Sequence, residues 1–69
     1  MNNGEYLIEI GKKIRAVRKA KGISQRQLVI LAPVHTSSLS EIENGKMNVK
    51  ILALKKLADT LGVDVKDFL

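Results

Sequence analysis

Residues 24–46 constrain this chain more than any other stretch. They run Ser24-Gln25-Arg26-Gln27-Leu28-Val29-Ile30-Leu31-Ala32-Pro33-Val34-His35-Thr36-Ser37-Ser38-Leu39-Ser40-Glu41-Ile42-Glu43-Asn44-Gly45-Lys46. Ser24, with Gln27 three residues on, forms a capping-box start for a helix. Pro33 cannot continue that helix and pushes Ala32 away from helical angles. A second helix-sized block follows and stops at Asn44-Gly45. The pattern reads as two short helices across a tight connection, with the rest of the chain as scaffold.

The scaffold also reads as helical. Helix 1 is expected from Glu5 to Ala20, with residues 1–4 a flexible N-terminal arm. Leu7, Ile10, Ile14 and Val17 recur at helical spacing and form one stripe. Arg18 follows Ile14 by four residues, roughly 40° around the axis, so it borders the buried face. Lys21-Gly22 closes the helix with a cation and a left-handed cap. Helix 2 is expected over Gln25 to Ala32, with Leu28 and Ala32 inward. Helix 3 runs from Thr36 or Ser37 to Glu43, with Leu39, Ile42 and Glu43 on one face and Thr36, Ser37, Ser40 and Glu41 pointing mostly elsewhere. Helix 4 spans Lys50 to Leu61, with Ile51, Leu54, Leu57, Ala58 and Leu61 inward and Gly62 as stop. Asp64 then caps a last short helix, with Asp67 three residues on and Val65, Phe68 and Leu69 as its apolar side. No segment alternates apolar and polar residues with period two, so the fold class is all-α and residues 1–69 form a single domain.

Composition narrows the function. A chain of 69 residues without Cys has no disulfide or thiolate metal site, and a single His with scattered carboxylates offers no metal cluster. No nucleophile–base pair, paired carboxylates or phosphate loop appears, so no catalytic residue, enzyme activity or cofactor is expected. A net charge of +5 and a pI of about 9.8 favour a polyanionic partner, nucleic acid first. No apolar run approaches the ~20 residues of a membrane span, and the N-terminus lacks a signal peptide's basic segment and apolar core. A cytoplasmic, membrane-free protein is expected.

Two short helices across a tight turn form the outline of a helix-turn-helix, in which the second helix is presented to DNA. The markers Ile14-Arg15 with Arg18 and Lys19, Lys21-Gly22-Ile23-Ser24-Gln25, Leu28, Leu39-Ser40 with Ile42-Glu43-Asn44-Gly45-Lys46, and Leu57-Ala58 with Leu61-Gly62-Val63 resemble the Cro and phage-repressor (XRE-like) helix-turn-helix family. The resemblance implies a compact five-helix lambda-repressor-like domain. It also implies a repressor-type transcriptional regulator that binds double-stranded DNA as a homodimer on a pseudo-palindromic operator. Gln25 matches a phosphate-contacting position. Thr36, Ser37 and Glu41 match positions that touch base edges, with Ser40 a weaker candidate. Asn44 and Lys46 match backbone-contacting positions, to which Arg26, His35 and Lys50 add further phosphate contacts. Arg18 and Glu43 match an ion pair between helices 1 and 3, and their places beside apolar stripes agree with that.

Four departures from the family pattern stand out. Pro33 replaces the turn Gly, whose positive φ Pro cannot reach. Val29 replaces a small residue that packs against helix 3. Ile30 and Leu31 replace polar, exposed residues and point to a partner surface, with Leu52 a weaker instance. The segment Thr36–Glu41 has no Arg, Lys, Asn or Gln, the residues that pair bidentately with guanine or adenine, so direct base readout is modest and phosphate contacts and DNA shape carry more of the binding. A protein-interaction module with weak DNA binding is the rival reading. Asn48-Val49 resembles the restriction-modification controller subgroup, and an antitoxin-type autorepressor is equally open.

Overall fold

In a computed structural model that describes residues 2–32 and 34–69, all regular structure among the described residues is helical. Helix α1 spans Asn3–Ala20, α2 Gln25–Leu31, α3 Thr36–Glu43 and α4 Ile51–Leu61, and a 3-10 turn, Val65–Phe68, closes the chain. Four α-helices and this turn thus stand where five helices were expected. The last element bonds as a 3-10 turn rather than as an α-helix. Asp67 N–H donates to the Asp64 carbonyl at 2.9 Å and Leu69 N–H to the Lys66 carbonyl at 3.0 Å, both i→i+3. The Asp64 side chain caps Lys66 N–H rather than Asp67 N–H.

Side-chain caps mark the starts of α1, α2 and the closing turn. Asn2 Oδ1 accepts from Glu5 N–H at 2.8 Å, so α1 begins at Asn3, and residues 2–4 are its cap and first turn rather than an arm. The Ser24–Gln27 capping box is complete: Gln27 N–H donates to Ser24 Oγ at 3.0 Å and Ser24 N–H to Gln27 Oε1 at 2.8 Å. Ala32 follows α2 in extended conformation, φ −112° and ψ 142°. The replacement of the turn Gly by Pro33 lies outside the described residues.

Three helices end in one way. Gly22, Gly45 and Gly62 hold φ of 70°, 70° and 73°. Each donates its N–H three residues back, to Lys19, Ile42 and Asp59, and the next residue donates five back: Ile23 to Arg18, Lys46 to Glu41 and Val63 to Ala58. This is the Schellman closure. In two of them the residue after Gly is an aliphatic packed against the core, Ile23 or Val63. After α3 that residue is Lys46, and it is exposed.

The core joins Ile10 and Ile14 of α1, Leu28 of α2, Leu39 and Ile42 of α3, and Leu54, Leu57, Ala58 and Leu61 of α4, with Ala32 and Phe68. Val29 packs half-buried against it. Ile51 does not face inward as expected; it is 61% exposed. It lies roughly 70° from the centre of the stripe formed by Leu54, Leu57, Ala58 and Leu61, on the first turn of α4. Leu69 is also half-exposed. Gly11 is buried where α1 crosses the end of α3: a Cβ there would lie 2.8 Å from the Glu43 carbonyl carbon and closer still to the carbonyl oxygens of Ile42 and Glu43.

Candidate nucleic-acid interface

The buried side of α3 fixes what its other side can present. Leu39 and Ile42 sit in the core, and Glu43 enters a polar cluster at the helix's C-terminal end. Arg18 Nε donates to Glu43 Oε2 at 2.7 Å and Arg18 Nη2 to Glu43 Oε1 at 3.0 Å, a bidentate pair whose side chains are 8% and 2% exposed. Arg18 Nη1 donates to the Ile23 carbonyl at 2.7 Å, and Gln25 Nε2 donates to Glu43 Oε1 at 3.1 Å. The expected ion pair is therefore present. It ties α1, the α1–α2 loop and the start of α2 to the end of α3, and every buried side-chain polar atom among the described residues has a partner. Separating such a pair leaves a buried charge uncompensated, at about 3–5 kcal/mol.

Around the rest of α3, Thr36, Ser37 and Glu41 are exposed and Ser40 is half-exposed. These four residues form one polar strip on α3. Its first turn is open: Leu39 N–H closes the first helical bond to the His35 carbonyl at 2.9 Å, and the N-cap residue His35 makes no side-chain cap hydrogen bond. The start of α4 is likewise without a side-chain cap at Lys50. His35 and Lys50 both border one groove of about 260 Å³, whose lining is mostly apolar: Val34, Ile42, Met47, Val49 and Ala53, with Ser38 and Asn48. Helix N-termini without caps leave backbone N–H groups that suit phosphate.

The cations divide into two groups. Lys12 pairs with Glu9 at 3.7 Å and Lys55 with Asp59 at 2.8 Å, along helix surfaces. The hydrogen bond that Lys55 donates to Asp59, and then the charge of Asp59, raise the Lys55 pKa. Arg26, Lys46 and Lys50 are exposed and, like Lys13, Arg15, Lys19, Lys21, Lys56 and Lys66, make no ion pair among the described residues. Asn44 Nδ2 donates to the Ser40 carbonyl at 2.9 Å, which occupies one of its donors within α3.

Three features escaped sequence reasoning. Gln25 is half-buried and bonded to Glu43, whereas the sequence suggested only an outward phosphate contact. The self-cap by Asn44 has no distinctive spacing. The Gly11 crossing did leave a signal, since an isolated Gly inside a strong helical pattern usually has a packing reason. Ile30 and Leu31 are 76% and 63% exposed. Ile30 sits roughly 200° around the axis from buried Leu28.

A helix-turn-helix family model, HTH_3, matches residues 14–68. Control protein C.BamHI of Bacillus amyloliquefaciens is 37% identical over 70 residues, covering 100% of this chain and 85% of that protein. The crystal structure of the restriction-modification controller protein C.AhdI from Aeromonas hydrophila superposes with a TM-score of 0.88 at 32% identity, covering 91% of this chain and 96% of that one. A transcriptional regulator of the HTH_3 family from Vibrio cholerae gives a TM-score of 0.91 at 25% identity, over 97% of this chain but 38% of that one. Matched along most of its length in sequence and in fold, the chain belongs to the HTH_3 helix-turn-helix family and is a DNA-binding transcriptional regulator.

Proposed function

We propose that the chain binds a pseudo-palindromic operator as a homodimer, with α3 of each protomer in the major groove of one half-site. The observation that carries this reading is the division of α3: one side is locked into the core by Leu39, Ile42 and Glu43, and the other presents Thr36, Ser37, Ser40 and Glu41. These four are the base-contacting residues. Gln25, Arg26, His35, Asn44, Lys46 and Lys50 contact the DNA backbone. Half-sites one helical turn apart lie roughly 34 Å centre to centre, comparable to the protomer's 31 Å long dimension.

Short hydroxyl side chains and one carboxylate discriminate bases weakly, and Glu41 also repels phosphate. Affinity therefore leans on phosphate contacts. Arg26, Lys46 and Lys50 of two protomers would give a slope of about −5 in log K against log salt. The near full-length likeness to proteins named as a control protein and a restriction-modification controller supports regulation of that kind of gene system, in the cytoplasm. No helix among the described residues is long and apolar enough to cross a membrane.

Sequencing genomic and random fragments retained by the purified protein tests the reading. Enrichment of a pseudo-palindrome with fixed half-site spacing is expected. Retention without enrichment, lost as salt rises, would sink sequence-specific regulation. A second reading rests on the exposure of Ile30 and Leu31, which form an apolar outer edge on α2 suited to a protein partner.

A further inference from the structure

Glu43 holds two residues at once. Its Oε2 accepts from Arg18, and its Oε1 accepts from Arg18 at 3.0 Å and from the Gln25 amide at 3.1 Å. Arg18 neutralises the carboxylate, and a pair needs no third partner for charge balance. The Gln25 bond satisfies a further lone pair of the buried carboxylate, and it also fixes Gln25.

A carboxylate only accepts, so Gln25 must turn its NH2 edge toward Glu43. The orientation of this amide is set by chemistry, not by choice between two similar atoms. One of the two Nε2 hydrogens is used. The other remains, on a half-buried side chain in the first helical residue of α2. A free glutamine side chain samples many rotamers, and ordering one on binding opposes affinity. The bond to Glu43 favours one of these rotamers for Gln25 before DNA arrives.

We propose that Glu43 is a positioning residue for backbone docking: through Gln25 it aims the second amide N–H at a DNA phosphate. One carboxylate then sets both the tilt of α3 and the phosphate anchor on α2, so groove insertion and backbone docking keep one register. The proposal rests on the DNA-binding reading above and adds to it the dependence of Gln25 on Glu43.

A double-mutant cycle on affinity for a mixed-sequence duplex, which needs no known operator, tests it. Gln25→Ala is measured in the unmodified chain and in an Arg18→Met/Glu43→Leu background, where an apolar pair of similar volume replaces the buried ions. In the unmodified chain Gln25→Ala should weaken binding about tenfold, as expected for a charge-assisted hydrogen bond. In the apolar background the same change should matter less than about twofold. Equal losses in both backgrounds would overturn the positioning role and leave DNA binding intact. No retention of any duplex by the unmodified chain would remove the DNA-binding reading itself. Should the apolar background fail to fold, NMR of the unmodified free protein decides. A Gln25 side-chain amide as ordered as the backbone supports the proposal, and a freely rotating one overturns it.

Discussion

Gly11 lies directly under the last carbonyls of α3, where a Cβ would stand 2.8 Å from the carbonyl carbon of Glu43. Both partners of this contact are backbone, and neither can rotate away. Gly11→Ala should therefore destabilise the protein by about 1–3 kcal/mol, despite the better helix propensity of Ala. Gly4 is an internal control on the same helix, since its added Cβ would meet only the exposed Asn2 side chain at 3.4 Å. Gly4→Ala should be neutral or stabilising by at most about 0.5 kcal/mol. Urea unfolding of the two variants compares them, and equal effects would mean that the crossing is looser than described.

The Arg18–Glu43 pair makes two contrasting predictions. Arg18→Ala strands a carboxylate that is almost wholly buried, and should cost about 3–5 kcal/mol. Arg18→Met/Glu43→Leu removes both charges and should lie near the unmodified protein in melting temperature. Thermal unfolding followed by circular dichroism checks both. A double variant as unstable as Arg18→Ala would show that the cluster's hydrogen bonds to Ile23 and Gln25, rather than uncompensated charge, dominate.

Lys46 offers the cleanest separation of binding from folding. It is exposed, makes no ion pair among the described residues, and contributes to the fold mainly through its backbone N–H. Lys46→Glu should leave stability within about 1 kcal/mol of the unmodified chain. At low salt it should weaken duplex binding by at least about tenfold and flatten the salt slope by about 2 for a dimer. Fluorescence anisotropy over a salt series measures this, and unchanged affinity would exclude Lys46 from the interface.

Ile30→Ser with Leu31→Ser tests the apolar outer edge of α2. Both side chains are mostly solvated, so stability should change by less than about 0.5 kcal/mol, and duplex affinity should hold. If the edge serves a protein partner, regulation in cells should be lost while operator binding in vitro remains. Loss of binding in vitro would instead assign the edge to dimer contacts that DNA binding needs.

The features legible in the sequence were those that depend on local chemistry. Ser24 and Gln27 announce a helix start whatever surrounds them, and Gly22, Gly45 and Gly62 announce stops, because capping and left-handed conformations are decided within a few residues. The Arg18–Glu43 pair was legible through the family resemblance, with which the places of two opposite charges beside apolar stripes agree. What depends on how elements stack was harder to see. Ile51 fits an inward helical spacing, but the stripe's centre lies to one side of it, and it is exposed at the first turn. Gln25 looked like surface because its partner is 18 residues away on another helix.

The anchoring of α3 is lopsided. Its C-terminal end is fixed by the Gly11 crossing, a Schellman closure and a buried ion pair, while its first turn carries no side-chain cap. The positions that we propose for base contact lie along the side on which folding makes few demands. Thr36, Ser37 and Glu41 can be exchanged for other polar residues without disturbing a core contact or a buried hydrogen bond. A lineage carrying this fold can therefore change its target sequence through a few substitutions that leave stability almost untouched, and drift toward a new operator need not pass through unfolded intermediates.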